Sequence, residues 1–328
     1  MNVFVTRRIP EPGLDLLRKE VEVEINPEDS VLTKAEIIQG VKGKDGLLCL
    51  LTDPIDRDVI SAEPRLKTIA NYAVGYDNID IEAATERGIP VSNTPGVLTD
   101  TTAEMAWALL FSVARRIVEA DTYTRAGKFK GWGPLLMLGQ DVSQKTLGVV
   151  GAGRIGTAFA LKSKGFNMHV LYVDGRRNEI LERKLGAKKV ELPELLTTSD
   201  YISLHVPLTH STHHLISEKE LQMMKTTAVL INTSRGPVVD EQALVKALQE
   251  HWIFGAGLDV YEHEPEIHQD LRHRDNAVLQ PHAASATVET RTKMAAMAAE
   301  NLLAGLRGEI PPNCINPKVF DKKKRITT

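Results

Sequence analysis

The stretch Thr146–Gly156, TLGVVGAGRIG, decides the fold. Thr146 to Val150 is a short, apolar, β-branched run of strand type, and from Arg154 to Lys164 the pattern turns helical, with Ile155, Ala158, Phe159 and Leu161 on one side. Between them stands G-x-G-x-x-G. Gly151 allows a tight turn, Gly153 lets the backbone approach a pyrophosphate, and Gly156 permits close packing of helix on strand. The helix opens with Arg154 and Ile155, where unpaired N–H groups and the helix dipole favour an anion. A second strand, His169 to Val173, ends at Asp174, 18 residues beyond Gly156. An acidic side chain there accepts hydrogen bonds from an adenosine ribose and repels a 2′-phosphate, which favours NAD over NADP. Arg176 and Arg177 work the other way, since a guanidinium can pair with that phosphate. NAD is the expected cofactor, with some use of NADP.

Working outward, strands and helical stretches alternate along the whole chain. Asn2–Thr6, Gly46–Thr52 and Lys67–Asn71 read as strands, with helical patterns at 11–20, 34–39 and 56–62, so parallel β-α-β winding is expected. A long helical pattern spans 99–120, and strands recur near 146, 169, 188, 201, 228, 256 and 277. A last helical stretch, 288–308, follows the close of that second unit. The expectation is an α/β protein of two doubly wound parallel-sheet domains, Rossmann-like and flavodoxin-like, with a cleft between them. Residues 1–98 and 287–328 would form a substrate-binding domain, and residues 99–286 an NAD-binding Rossmann domain.

Composition agrees with a two-domain globular enzyme. The 328 residues exceed the usual ceiling for one core, and 42% hydrophobic with 25% charged residues is ordinary. A net charge of −3 gives no reason to expect nucleic acid or an anionic membrane as partner. The one dense basic run, Lys322–Arg325, reads as a solvated tail. Two cysteines, Cys49 and Cys314, make a disulfide framework improbable, no apolar run approaches a membrane span, and a reducing, cytoplasmic setting fits.

Downstream of the fingerprint come Arg235 in NTSRGPVVD, Glu264 in GLDVYEHEP and His282 in PHAASAT. When hydride attacks a carbonyl carbon, negative charge builds on its oxygen, and an imidazolium at His282 can supply the proton. A carboxylate at Glu264 can hold that ring and favour its charged form. Arg235 offers a planar donor fork that pairs with a substrate carboxylate while polarising the carbonyl. The three together point to hydride transfer on a 2-keto acid. His210, His213 and His214 are clustered, but the absence of a neighbouring carboxylate or cysteine in sequence speaks against a metal site, and none is expected.

These stretches, with GLLCLLTDPID, NYAVGYDNID, RGIPVSNTPGVLTDTTAE, the segment Trp132–Pro134, LHVPLT and INTSRGPVVDEQAL, resemble the D-isomer-specific 2-hydroxyacid dehydrogenase family. Within it the similarity is greatest to the glyoxylate/hydroxypyruvate reductases. The resemblance covers nearly the whole chain. It implies reduction of a small 2-keto acid, glyoxylate or hydroxypyruvate, to the D-2-hydroxy acid, with Arg235, Glu264 and His282 as the catalytic set. It further implies that Val74 and Gly75 offer backbone amides to the substrate carboxylate, that Thr233 and Asp259 face the nicotinamide, and that Val206 and Pro207 border the adenosine. Residues 99–140 match the family's dimerisation arm, so a homodimer is expected. Two other readings stay open: a 3-phosphoglycerate dehydrogenase-like enzyme, and a non-enzymatic NAD-sensing protein of the corepressor type.

Overall fold

The computed structural model describes residues 1–324, with side chains described through Asp321, so the basic run at 322–325 lies outside the described side chains. The chain folds as two compact units, one of Met1–Leu98 with the segment from Ala286 onward, the other of Thr99–Ser285. The first holds a five-stranded sheet of β1 (Asn2–Val5), β2 (Glu22–Ile25), β3 (Gly46–Cys49), β4 (Thr68–Asn71) and β5 (Val91–Ser92), in the order β2-β1-β3-β4-β5. Its strand pairs are all parallel. The second holds β6 (Thr146–Val150), β7 (His169–Val173), β8 (Lys188–Lys189), β9 (Tyr201–Leu204), β10 (Val229–Asn232), β11 (Gly255–Leu258) and β12 (Ala277–Leu279). Their order, β12-β11-β10-β9-β6-β7-β8, reverses direction beside β6. In such open parallel sheets the crevice at the carboxyl end of the reversal is where ligands bind.

Burial explains why the strand patterns differ in legibility. The central strands β3, β4, β9, β10 and β11 are buried throughout, as the two-sided covering of a parallel sheet requires. The edge strand β2 alternates charged and apolar residues and is only half covered, and β5 is two residues long. Neither stands out in the sequence. The helix Val288–Leu306 returns to the first unit, where it packs on the helix Glu11–Arg18 and on β3 and β4. After it, Cys314 bridges Ser92 and the N–H of Ile315 donates to Val91 O at 2.7 Å, so the PPNCINP stretch runs beside β5.

The expected helix at 99–120 is corrected to two: Thr99–Ala114 and Ile117–Arg125. The chain at 139–140 ends the first, because Gln140 N–H takes the carbonyl of Ala114 at 2.7 Å, and Arg116 then turns left-handed (φ 52°). Glu119 secures that turn by pairing with the Arg116 guanidinium. The first helix is bolted to the fingerprint helix Arg154–Lys162 by Trp107, which lies 5.0 Å from the Phe159 ring and donates its indole N–H to Phe159 O at 3.0 Å. Phe111 and Phe166 complete the cluster around Trp107. Aromatic pairs of this kind contribute about 0.5–1.5 kcal/mol beyond their burial. Among the described residues no helix is long and apolar enough to cross a membrane.

Candidate active site

Register assembles the site in the second unit. Val150 pairs with Val173 and with Leu204, Leu204 with Asn232, Asn232 with Leu258, and Leu258 with Leu279. The residues that follow these strand ends, Gly151, Asp174, His205, Thr233, Asp259 and Gln280, therefore stand in one row along the carboxyl edge of the sheet.

At the β6 end of that row two of the three fingerprint glycines, Gly151 and Gly156, are sterically required. Gly151 has φ 93°, and an added Cβ would meet His205 C at 2.7 Å. At Gly156 a Cβ would lie 2.0 Å from Gly151 O, whereas at Gly153 it would meet nothing within 4 Å. Gly153 is also the N-cap of Arg154–Lys162, with no side chain capping the helix, so the first-turn N–H groups face open space as an anion requires. Asp174 accepts the Ala152 N–H at 2.8 Å and the Arg176 N–H at 3.0 Å, which ties the end of β7 to the glycine loop. Asn178 reinforces the loop through Ala152 O and Thr157 Oγ1. Arg177 is paired with Glu182, while the Arg176 guanidinium makes no hydrogen bond or ion pair among the described residues. Two polar atoms in the row, Thr233 Oγ1 and His205 Nδ1, are sealed from solvent with no hydrogen-bond partner. His205 is pushed down to about 3 by burial, so its imidazole is neutral. These orphaned groups, the open helix start and the obligatory glycines fit a bound dinucleotide.

The other end of the row carries a histidine–carboxylate pair. His282 Nδ1 lies 2.8 Å from Glu264 Oε2, their side chains 26% and 28% exposed. Glu264 Oε1 accepts the Tyr261 N–H at 3.0 Å, and the Tyr261 hydroxyl donates to Gln280 O at 2.8 Å, so both loops are tied at their roots. Burial raises the Glu264 pKa, but the His282 hydrogen bond and charge, the Tyr261 N–H and the Arg235 guanidinium outweigh it and hold the carboxyl below its usual range. Asp259, fully buried, supports His282 from beneath: its carbonyl accepts the His282 N–H at 2.9 Å, and its carboxylate accepts the N–H groups of Ala283 (2.7 Å) and Ala284 (2.8 Å). These bonds fix His282 in a left-handed conformation, φ 53°. Burial is the largest influence on the Asp259 carboxyl and raises its pKa.

Arg235 stands at the end of a turn folded by Asn232, whose amide donates to Arg235 O at 3.0 Å and accepts from Ser234 N and Oγ. Immediately after it, Gly236 lies so close to the Tyr261–Glu262 backbone that a Cβ would fall 1.8 Å from Tyr261 O. The segments carrying Arg235 and Glu264 are thus pressed together backbone to backbone. In the first unit, Val74 and Gly75 follow β4 in a turn at the carboxyl edge of that sheet. Val206 and Pro207 continue from β9 beyond His205, partly covered and exposed respectively.

The family model for the D-isomer specific 2-hydroxyacid dehydrogenase, NAD binding domain, matches residues 107–284. The chain is 56% identical over 319 residues to glyoxylate reductase of Korarchaeum cryptofilum (strain OPF8), covering 97% of this chain and 96% of that protein. The chain belongs to the D-isomer specific 2-hydroxyacid dehydrogenase family. A solved protein of Thermus thermophilus is similar to this dehydrogenase with a TM-score of 0.91 and 47% identity, over 96% of this chain and all (100%) of that one. An NADPH-dependent glyoxylate/hydroxypyruvate reductase of Sinorhizobium meliloti, solved with NADP and malonate, matches with a TM-score of 0.84 and 31% identity over 96% of each chain. As a member of this family the chain is an NAD(P)-dependent oxidoreductase.

Two features of the dehydrogenase differ from the sequence reading. His205 is not singled out by the sequence, although it sits in the LHVPLT motif; its place in the row depends on the register of β9, which the motif does not state. The histidine cluster, expected to lack a carboxylate, has one: His214 Nε2 lies 2.7 Å from Glu262 Oε1. Glu262 is far away in sequence and the fold supplies it. Its second oxygen accepts the Glu241 N–H at 3.0 Å, and the His213 and His214 ring centroids lie 4.1 Å apart with the planes tilted by 31°. One ligand atom from each of His213, His214 and Glu262 lies within 4.8 Å of the others, a spacing that could hold a metal ion and that the sequence reading did not foresee.

Proposed function

We propose that this dehydrogenase reduces a small 2-keto acid, glyoxylate or hydroxypyruvate, to the D-2-hydroxy acid with NADH or NADPH. The observation that carries the reading is the His282–Glu264 pair at 2.8 Å, on the same sheet edge as the GAGRIG loop and with the Arg235 charge acting on Glu264. Bound NAD(P)H supplies the hydride. Gly151, Gly153, Arg154, Ile155 and Gly156 would hold its pyrophosphate, Asp174 its ribose, Val206 and Pro207 border the adenosine, and Thr233 and Asp259 face the nicotinamide. His282 delivers a proton from Nε2 to the carbonyl oxygen as charge develops there, while Glu264 holds the ring at Nδ1 and stabilises the imidazolium. Arg235 binds the carboxylate and polarises the carbonyl, and Val74 and Gly75 offer main-chain amides to the carboxylate. In this reading residues 99–286 are the NAD-binding domain and residues 1–98 with 287–328 the substrate-binding domain.

Support for a homodimer comes from the run between 117 and 138. Ile117, Val118, Phe129, Trp132, Leu135 and Leu138 are all exposed, Trp132 at 85%, and the helix Ile117–Arg125 buries no residue of its own. So much apolar surface in one run needs a cover, and a second copy is the cover we infer. Two free cysteines agree with a cytoplasmic setting. The direct test is NADH and NADPH consumption titrated with glyoxylate, hydroxypyruvate, pyruvate and phosphohydroxypyruvate. Saturable turnover of the first two is expected; turnover of the phosphorylated acid alone, or nucleotide binding without any turnover, would overturn the assignment.

A further inference from the structure

The turn after β4 in the first unit is held from one side by a set of asparagines. Ala70 pairs with Ser92, which places Asn71 level with Asn93 at the carboxyl ends of β4 and β5. The Asn93 amide donates to Val74 O at 2.7 Å, and the Asn71 amide donates to Gly75 O at 2.9 Å. Asn71 is fully buried and also donates to Asn78 Oδ1 at 3.1 Å. Asn78 in turn donates to Leu50 O and Asp53 O, both at 3.0 Å, and Asp53, itself buried, accepts the Leu50 N–H and the Thr6 hydroxyl. The loops after β1, β3, β4 and β5 are thereby joined in one polar lattice.

Peptide planarity gives the lattice a direction. Among the described residues the only cis bond is Glu264–Pro265, so the Val74–Gly75 and Gly75–Tyr76 peptides are trans, and each N–H points opposite to the carbonyl of its own plane. Fixing Val74 O toward Asn93 turns the Gly75 N–H away from the lattice, and fixing Gly75 O toward Asn71 does the same for the Tyr76 N–H. Neither N–H donates a hydrogen bond among the described residues, and Gly75 and Tyr76 are half-exposed and exposed respectively. Consecutive free N–H groups on a rigid turn make an anion nest.

We propose that Asn93 and Asn71 are positioning residues for the substrate carboxylate: they turn the N–H groups of Gly75 and Tyr76 outward, so that Tyr76 joins Val74 and Gly75 in receiving it. The inference rests on the 2-keto acid reading and adds Tyr76 and the two asparagines to it. Without the Asn93 amide the Val74–Gly75 peptide is free to rotate, and the nest loses its preorganised geometry while the nucleotide loop, in the other unit, is untouched.

The test compares Asn93→Ala with the unaltered enzyme in three measurements: steady-state reduction of glyoxylate, NADH binding, and calorimetric binding of oxalate to the NADH complex. KM for glyoxylate and Kd for oxalate should both rise about ten-fold or more, with kcat within about three-fold and NADH affinity unchanged. A merely structural role would lower kcat, NADH affinity and thermal midpoint together. Should Asn93→Ala not fold, Asn71→Ser removes the other donor and is expected to give the same split. KM and oxalate affinity within two-fold of the unaltered enzyme, or a fall in kcat at constant KM, would overturn the proposal. Oxalate binding needs no turnover, so an unaltered enzyme that reduces no keto acid would refute the functional reading, while the oxalate comparison would still decide this one.

Discussion

Gly236→Ala isolates the contact on which the catalytic geometry depends. A Cβ there would lie 1.8 Å from Tyr261 O, 1.9 Å from Tyr261 C and 2.5 Å from Glu262 N. Ordinary contact begins at 3.4 Å, so the two backbones must part by about 1.6 Å, and neither is the flexible end of a side chain. One of them carries Arg235; the other carries Tyr261, whose N–H holds Glu264 Oε1 at 3.0 Å. A parting of that size shifts Arg235 relative to the His282–Glu264 pair and displaces Tyr261, which anchors Glu264. Misplacement of about 1 Å in a catalytic constellation costs on the order of 100-fold in rate. The overpacking itself costs about 1–3 kcal/mol of stability, a fall of roughly 2–12 °C in thermal midpoint for a domain of this size. The assay is kcat for glyoxylate at saturating NADH, alongside NADH binding and calorimetric melting. Gly165→Ala is the control: its Cβ meets nothing within 4 Å, and its stability change should stay within about 0.5 kcal/mol. A Gly236→Ala enzyme with kcat within three-fold of the unaltered protein and the same midpoint would refute the reasoning.

Glu264→Gln replaces a charge-assisted hydrogen bond worth about 1.5–3 kcal/mol with a neutral one, so kcat should fall about 10- to 100-fold with NADH binding retained. Because the folded protein holds the Glu264 carboxyl below its usual range, its stabilising contribution is complete above about pH 4.3 and is lost as pH falls through the lower folded value. The difference in melting temperature between the two proteins should therefore narrow as pH falls below that value. Asp174→Ala removes a carboxylate that repels a 2′-phosphate and leaves Arg176 in place, and the NADPH-to-NADH ratio of kcat/KM should rise about ten-fold, read from paired titrations. In Gly156→Ala the Cβ falls 2.0 Å from Gly151 O, and NADH binding should be lost, as followed by protein fluorescence. Leu135→Asp places a charge in the exposed apolar run and should shift the protein toward monomer in light scattering; an unchanged dimer would move the interface elsewhere.

Individual residues explain which parts of the molecule are legible in the sequence. The fingerprint is readable because turn, anion site and helix start are local: Gly151, Gly153 and Gly156 act within six residues of one another, so sequence spacing is spatial spacing. The central strands are readable because burial on both faces makes them continuous apolar runs. The break at Arg115–Arg116 is hidden because the group that ends the helix, the N–H of Gln140, lies far beyond it in the chain. The carboxylate beside His214 is hidden for the same reason, since Glu262 is 48 residues away.

By itself the sequence determined the two-sheet α/β architecture and the family, and it pointed to Arg235, Glu264 and His282, since each depends on residue types in fixed local patterns. Tertiary structure alone decided that His282 and Glu264 meet at 2.8 Å, that Asp259 fixes the left-handed turn beneath the imidazole, and that Asn71 and Asn93 turn two peptide units outward. The reason is strand register. In a parallel sheet, residues far apart in the chain become neighbours only when neighbouring strands align, and that alignment is set by the packing of the whole sheet and its helices, not by any one segment.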